Sequence, residues 1–585
     1  MATPDFWPIE SYGATGDGRS VALIAPNGSI DWWCAPALDG MPLFDRLIAG
    51  PDGTWFSLEP DKPYTSEQKY VENSNVLQTV FNTEDGVVIL TDSLNSGLAG
   101  RLPWSEMGRR IEVISGSVRM VWRLRFGSRF SDQPVEHLQP GRWRVNGCSV
   151  GLLIGDRPIT DTGNNSFEGT IEVTSGETVT IGMVVTYQEP LPLPSMKAID
   201  TRMAISTTAW QQWVETLTVD GPYAADVRRS ALALKLLWHS PSGAIAAAAT
   251  TSLPEKIGAP KNYDYRYGWV RDTAYSLKAL IRCGASEEVQ ASIAWLLQAI
   301  RRSDGKPEIF YTLAGGQPGP MVEIPVQGYE GSRPVHVGND ADDQLQHGIY
   351  GDIFEAISVY VEQGNMIDAT TAEQLVALAD QVIDIWQQPD SGIWELADEQ
   401  HYTMSKIGCW LALQKAIELA EAGHIPGHKL DDWKQCRQAI YDYIESTCWN
   451  EDRQAYVMYV GTDKLDAALL LATRFGYPNK QRLAQTLHAV TDELSVGPLF
   501  YRYSGAQDEE ATFTACSFWA VEAEAFVGDK TKARKQLDAL LPQVKNQLGL
   551  MSEQVDPDSG RLLGNVPQAL SHLAFIHAVD SVSGN

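Results

Sequence analysis

The sequence has no apolar run long enough to span a bilayer as a helix, which argues against a membrane-embedded protein. Basic residues are scarce. Lys and Arg number 46 against 74 Asp and Glu, a net charge of −28 spread along the chain, and such a field repels nucleic acid and anionic membranes. The seven cysteines are odd in number, widely scattered and without a C-x-x-C pair, so they read as buried free thiols in a reducing compartment. The N-terminal MATPDFWPIE has neither a basic nor an apolar signal region, and a cytoplasmic protein is expected. No H-E-x-x-H is present and the ten histidines do not cluster, so neither a catalytic metal nor a cofactor is expected. The glycines of GATGDG (13–18) do not open a helix and make no dinucleotide loop, and no G-x-S-x-G elbow supports a serine hydrolase.

Aromatic residues, by contrast, are plentiful. Eighteen Trp and 21 Tyr exceed what packing needs, and amphipathic rings stack on the apolar faces of sugars while offering N–H or O–H at their edges. From residue 1 to about 190, short alternating or β-branched runs such as VLQTVFNTEDGVVILTDSL are punctuated by Asn-Gly and Asp-Gly turns, which predicts an antiparallel β-sandwich. The Pro-rich QEPLPLPSMK (188–197) ends this text, and a linker with a helical segment is expected over 191–222. From about 197 to 585 apolar residues recur at spacings of three and four, giving on the order of a dozen amphipathic helices in pairs, with a barrel expected over 223–585. A toroid with an inner and an outer helical ring fits this count, with function on the loops at one mouth.

Three polar-aromatic stretches interrupt the helices. Asn262 to Asp272, NYDYRYGWVRD, sets three Tyr, a Trp, two Arg and two Asp just before a helix. An Arg-Asp pair at a helix start is commonly a salt bridge and cap, yet among four aromatics Arg271 and Asp272 can also read vicinal hydroxyls of a sugar. DSGIWEL (390–396) carries Trp394 and Glu395 after a turn, and GLMSEQVDPDSG (549–560) carries Glu553 before an Asp-Pro turn. Each glutamate alone reads as a surface acid. Together they suggest the two carboxylates of glycoside hydrolysis, one protonated beside an apolar wall such as Trp394 and the other ionised to activate water.

The chain resembles glycoside hydrolase family 15, the family of glucoamylases, glucodextranases and some microbial trehalases, in its bacterial form with an N-terminal β-sandwich. The likeness runs nearly end to end, through SYGATGDGRSVALIAPNGSIDWWC (11–34), VRRSALALKLLWHSPSGAIAAAATTSLPE (227–255), YRYGWVRD (265–272), GYEGSRPVHVGNDADDQLQHGIYG (328–351), DSGIWE (390–395), SFWAVEA (517–523) and LMSEQVDPDSGRLLGNVPQALSHLAFI (550–576). It implies an (α/α)6 barrel and an inverting reaction with Glu395 as general acid and Glu553 as general base. Tyr265, Trp269, Arg271 and Asp272 match the motif that holds the terminal glucose, with Trp394 lining it and Arg333 a further sugar contact. Where bacterial relatives often read Gly-Glu-Gly this chain has Glu509-Glu510-Ala511, so Glu510 is carried only as a candidate substrate contact. Fungal glucoamylases have a second acid after the catalytic one, where this chain has Leu396. The expected activity is exo-acting release of β-glucose from the non-reducing end of short malto- or isomalto-type α-linked oligosaccharides, with trehalose hydrolysis the alternative. A glycoside phosphorylase and a non-catalytic sugar-binding protein are the readings from other classes, and Glu553 and the intact pair count against them. The oligomeric state is left open.

Overall fold

The computed structural model describes residues 4–97 and 100–584. The first part is a β-sandwich in which every strand pairing is antiparallel. Its two sheets are joined by one long strand, Ser105–Arg125. The first half of that strand pairs with Gly86–Leu94 and Thr178–Tyr187, and the second half with Trp55–Pro60 and Ser166–Thr174. The strand changes sheet where Ile114 to Ser117 are exposed, and alternating inward residues such as Ile111, Val113, Met120 and Trp122 fill the space between the sheets. Helix Met196–Glu215, N-capped by the Ser195 hydroxyl, packs on this long strand and on Thr178–Tyr187.

Among the described residues thirteen helical segments then close into two concentric rings of six positions, one inner position being filled by a short pair. The inner ring is formed by Val270–Arg282, Ile349–Glu362, Thr403–Glu421, the short pair Ala467–Leu470 and Leu471–Arg474, Thr514–Val527 and Ala569–Ser583, each touching the next and the last touching the first. The outer ring is Ala224–Leu237, Ser286–Arg302, Ala369–Ile385, Leu430–Thr447, Lys480–Leu494 and Lys530–Val544. Sequence pattern separates the two rings. Leu430–Thr447 buries only Trp433, Cys436, Ile440 and Ile444, a single stripe at helical spacing, whereas Thr403–Glu421 and Thr514–Val527 are buried nearly all round. Inner helices pack closely where glycine allows. A Cβ on Gly351 would lie 2.6 Å from the Gly408 carbonyl oxygen of the adjacent helix.

The sandwich rests on the barrel through its first strands. The Trp32 indole donates to the Ala249 carbonyl at 2.8 Å, and Asn546 and Asn75 side chains cross the boundary to the Tyr12 and Leu232 carbonyls at 3.0 Å each. All seven cysteines are buried and unpaired. Among the described residues no helix is long and apolar enough to cross a membrane.

Candidate active site

A cavity of about 300 Å³ opens at one mouth of the inner ring, between the loops that precede its helices. The structure brings Tyr265, Trp269, Arg271, Asp272, Trp394, Glu395 and Glu553 to its walls.

The first wall is the loop leading into helix Val270–Arg282. Hydrogen bonds from Ala247 and Ala248 to the carbonyls of Tyr267 and Tyr265, and from Val270 to the Ile309 carbonyl, hold it extended. Trp269 stacks on Phe310 at a 4.6 Å centroid distance and meets Tyr265 edge-on at 5.3 Å. Arg271 donates to the Ile393 carbonyl at 2.8 Å and lies 3.6 Å from Asp272 and 3.8 Å from Glu395. Burial pushes the Asp272 carboxyl up to about 6, with Arg271 opposing and Glu395 adding to the shift.

Between the two tyrosines of that loop, Arg266 turns the other way. Fully buried, it grips Asp264 through two hydrogen bonds of 2.8 and 2.6 Å and donates at 2.6 Å to the carbonyl of Gly40 in the sandwich. Asp264 also accepts the Gly338 amide, and Asp39 of the sandwich accepts the Leu313 amide. The β-domain thus braces the active-site loop from behind.

Glu395 sits in the turn Ser391–Leu396, which is closed by Leu396 N–H donating to the Ser391 carbonyl at 3.0 Å. Its own φ is +58°, a left-handed conformation that a non-glycine residue keeps only under external restraint. The Gln344 side chain supplies one restraint, donating to the Glu395 carbonyl at 3.2 Å. The side-chain oxygen Oε1 accepts the Trp269 indole N–H at 2.9 Å. The indole that hydrogen-bonds this carboxyl is thus Trp269, while Trp394 lines the same cavity. Trp394 directs its N–H to Asp466 at 2.9 Å and packs on Phe513 and Trp519.

Glu553 arrives from the opposite side, beside the small sheet of Thr512–Phe513, Gln554–Val555 and Leu562–Leu563. It is buried, and its Oε2 has no hydrogen-bond partner among the described residues. Burial pushes its carboxyl well above the usual range, Glu255 adds to this, and Arg502 and the Tyr265 hydroxyl pull it back. Gly564 lies directly against it with φ +71°, so a Cβ there would be 2.7 Å from both Cβ and Oε2 of Glu553. Gly564→Ala should accordingly lower kcat by roughly tenfold or more while the protein stays folded, since misplacing a reacting group by an ångström is that costly. Steady-state kinetics beside a thermal melt would test it, and an unchanged kcat would disprove the contact's importance.

Two sequence candidates lie elsewhere. Arg333 is exposed on the turn after Ser332 and is not part of the cavity wall. Glu510 is buried behind the wall, with both oxygens taken by Arg502 and with Lys261 at 2.8 Å from Oε2, so its bonds are spent on protein. The cavity also contains residues the sequence reading did not single out: Lys261, Arg502, Tyr503, Phe513, Gln344 and Gln568, with Leu396 at its edge. One signal pointed to Arg502. The Tyr-Arg-Tyr of 265–267 recurs at 501–503, just before another inner helix.

The sequence model described as Glycosyl hydrolases family 15 matches residues 221–580, and one described as Trehalase-like, N-terminal matches residues 2–136. The chain is 31% identical to a protein named trehalase from Mycolicibacterium smegmatis, covering 98% of this chain and 91% of that protein. It is also 31% identical to one of that name from Thermoplasma volcanium, covering 97% and 92%. Among solved structures, a bacterial glucoamylase complexed with acarbose superposes over 100% of this chain and 96% of its own with a TM-score of 0.72, at 13% identity, a likeness of fold. With a paired-carboxylate cavity in an (α/α)6 barrel behind an N-terminal β-sandwich, the chain belongs to glycoside hydrolase family 15 and is a glycoside hydrolase.

Proposed function

We propose that the enzyme hydrolyses trehalose, the α,α-1,1-linked disaccharide of glucose, with inversion at the attacked carbon. The end-to-end similarity to proteins named trehalase carries this reading and moves trehalose ahead of malto- and isomalto-oligosaccharides. A cavity of about 300 Å³, at the small end for a ligand site, has room for a small sugar.

One glucose would sit against Tyr265, Trp269, Arg271 and Asp272. Glu395 then protonates the bridging oxygen. Because its Oε1 already accepts the Trp269 N–H, the transferable proton belongs on Oε2. As the C1–O bond breaks, an oxocarbenium-like centre forms, and water attacks its opposite face while Glu553 takes the water's proton. The attacked glucose leaves as the β-anomer. The other departs with its own C1–O bond intact and is released as the α-anomer.

This gives a signature specific to the substrate. Proton NMR during the first minutes of trehalose cleavage should show α- and β-glucose appearing in equal amounts before mutarotation. Two α-anomers would rule out inversion. No cleavage of trehalose alongside rapid cleavage of maltose or isomaltose would return the reading to malto- or isomalto-oligosaccharides.

A further inference from the structure

Behind the Glu553 wall lies a buried ionic cluster larger than the reaction requires. Arg502 donates through Nε to Glu510 at 2.5 Å and through Nη2 to Glu255 at 2.7 Å. Lys261 bonds Glu510 at 2.8 Å and reaches the solvent-facing Glu509 at 2.9 Å. Glu255 is buried, and its Oε1 has no hydrogen-bond partner among the described residues. Its chain segment lies beside the base. The Gly564 amide donates to the Pro254 carbonyl at 2.8 Å, and the Glu553 amide donates to the Asn565 carbonyl at 3.2 Å, so residues 564–565 touch both.

The buried inner part of the cluster sets the carboxylates of Glu255, Glu510 and Glu553 against the cations Arg502 and Lys261. The balance is one cation short. Arg502 spends Nε on Glu510 and Nη2 on both Glu510 and Glu255, and Glu553 has no ion pair among the described residues although it lines the same cavity as Arg502. From this competition, and resting on the reading of Glu553 as the base, we propose that Glu255 is a positioning residue that takes up Arg502 and so keeps the full guanidinium charge away from the catalytic base.

Its chemical effect is on base strength. An ionised carboxylate beside a bound cation is a poor proton acceptor, and the acceptor matters most when its proton affinity suits the working pH. Burial raises the Glu255 carboxyl, with Arg502 opposing and Glu510 reinforcing the rise. The other groups facing the base are the Tyr265 hydroxyl and, across the cavity, Glu395.

The test uses α-glucosyl fluoride, whose fluoride leaves without protonation. Water bonds to C1 as the C–F bond breaks, and the water's proton goes to the base, so the acid limb of kcat/KM follows the base without a contribution from the proton donor. Glu255→Gln removes the competing charge. The limb should then move to lower pH by about one unit, and the plateau should fall several-fold as the base weakens. Glu255→Asp should restore the limb. A folded Glu255→Gln enzyme with the limb at its wild-type pH would overturn the proposal. If that variant does not fold, Glu510→Gln frees the same guanidinium and should move the limb in the same direction, and an unmoved limb there overturns the proposal equally. Glu553→Gln must lose fluoride hydrolysis in parallel. Retention of wild-type activity by that variant would instead sink the base assignment.

Discussion

Glu395→Gln should lose trehalose hydrolysis by roughly a hundred- to ten-thousand-fold in kcat, the range that a positioned proton donor contributes. The same variant should keep most of its activity on α-glucosyl fluoride, which needs no protonation to leave. The amide preserves the contact with the Trp269 N–H through its carbonyl oxygen, so the turn and its left-handed φ are maintained and the loss is chemical. Equal losses on both substrates would show that Glu395 acts in some way other than as proton donor. Full activity on trehalose would remove it from the mechanism.

Arg266→Met should be the most destabilising single change near the site. It deletes the fully buried guanidinium, leaving Asp264 buried with its charge unpaired, and breaking such a pair costs about 3–5 kcal/mol. The tie to Gly40 of the sandwich is lost as well. Adding Asp264→Asn should recover much of the loss, because the uncharged side chain can still accept the Gly338 amide. Thermal melts of the wild type and the single and double variants check this. A single variant that melts with the wild type would show that the brace is dispensable, and a double variant no better than the single would show that the unpaired charge is not the cause.

Much of this fold can be read from hydrophobic spacing. The outer helix Leu430–Thr447 shows its single apolar stripe in the sequence, and the nearly continuous apolar text of Thr514–Val527 marks a helix covered on all sides. Trp269, Arg271, Asp272, Glu395 and Glu553 stand out in sequence only in combination, as aromatics and charges gathered in loops before helices, and the fold brings them to one cavity. The rest depends on contacts between distant segments. Glu255 reads as an ordinary acid after a proline until Arg502, 247 residues away, is folded against it. Trp394 stands next to Glu395 in sequence, yet its N–H goes to Asp466, and the indole bonded to Glu395 comes from Trp269, 126 residues away. Arg266 and Arg502 share the same Tyr-Arg-Tyr surroundings, yet one faces the sandwich and the other the cavity.

The closure of the inner ring has a temporal consequence. Its first helix, Val270–Arg282, is completed by contact with Ala569–Ser583, and Glu553 enters just ahead of that closing helix. During synthesis, domains fold from the N-terminus as they emerge. The sandwich can therefore be finished, and Asp39 and Gly40 in place, long before any working pocket exists. A ribosome-bound chain stalled before residue 553 would hold Glu395 and the loop from Tyr265 to Asp272 but neither Glu553 nor the helix Ala569–Ser583 that closes the ring. On this account the pocket is completed only once residues 553 to 583 have emerged and packed, and the Asp39–Gly40 brace can stand ready before that.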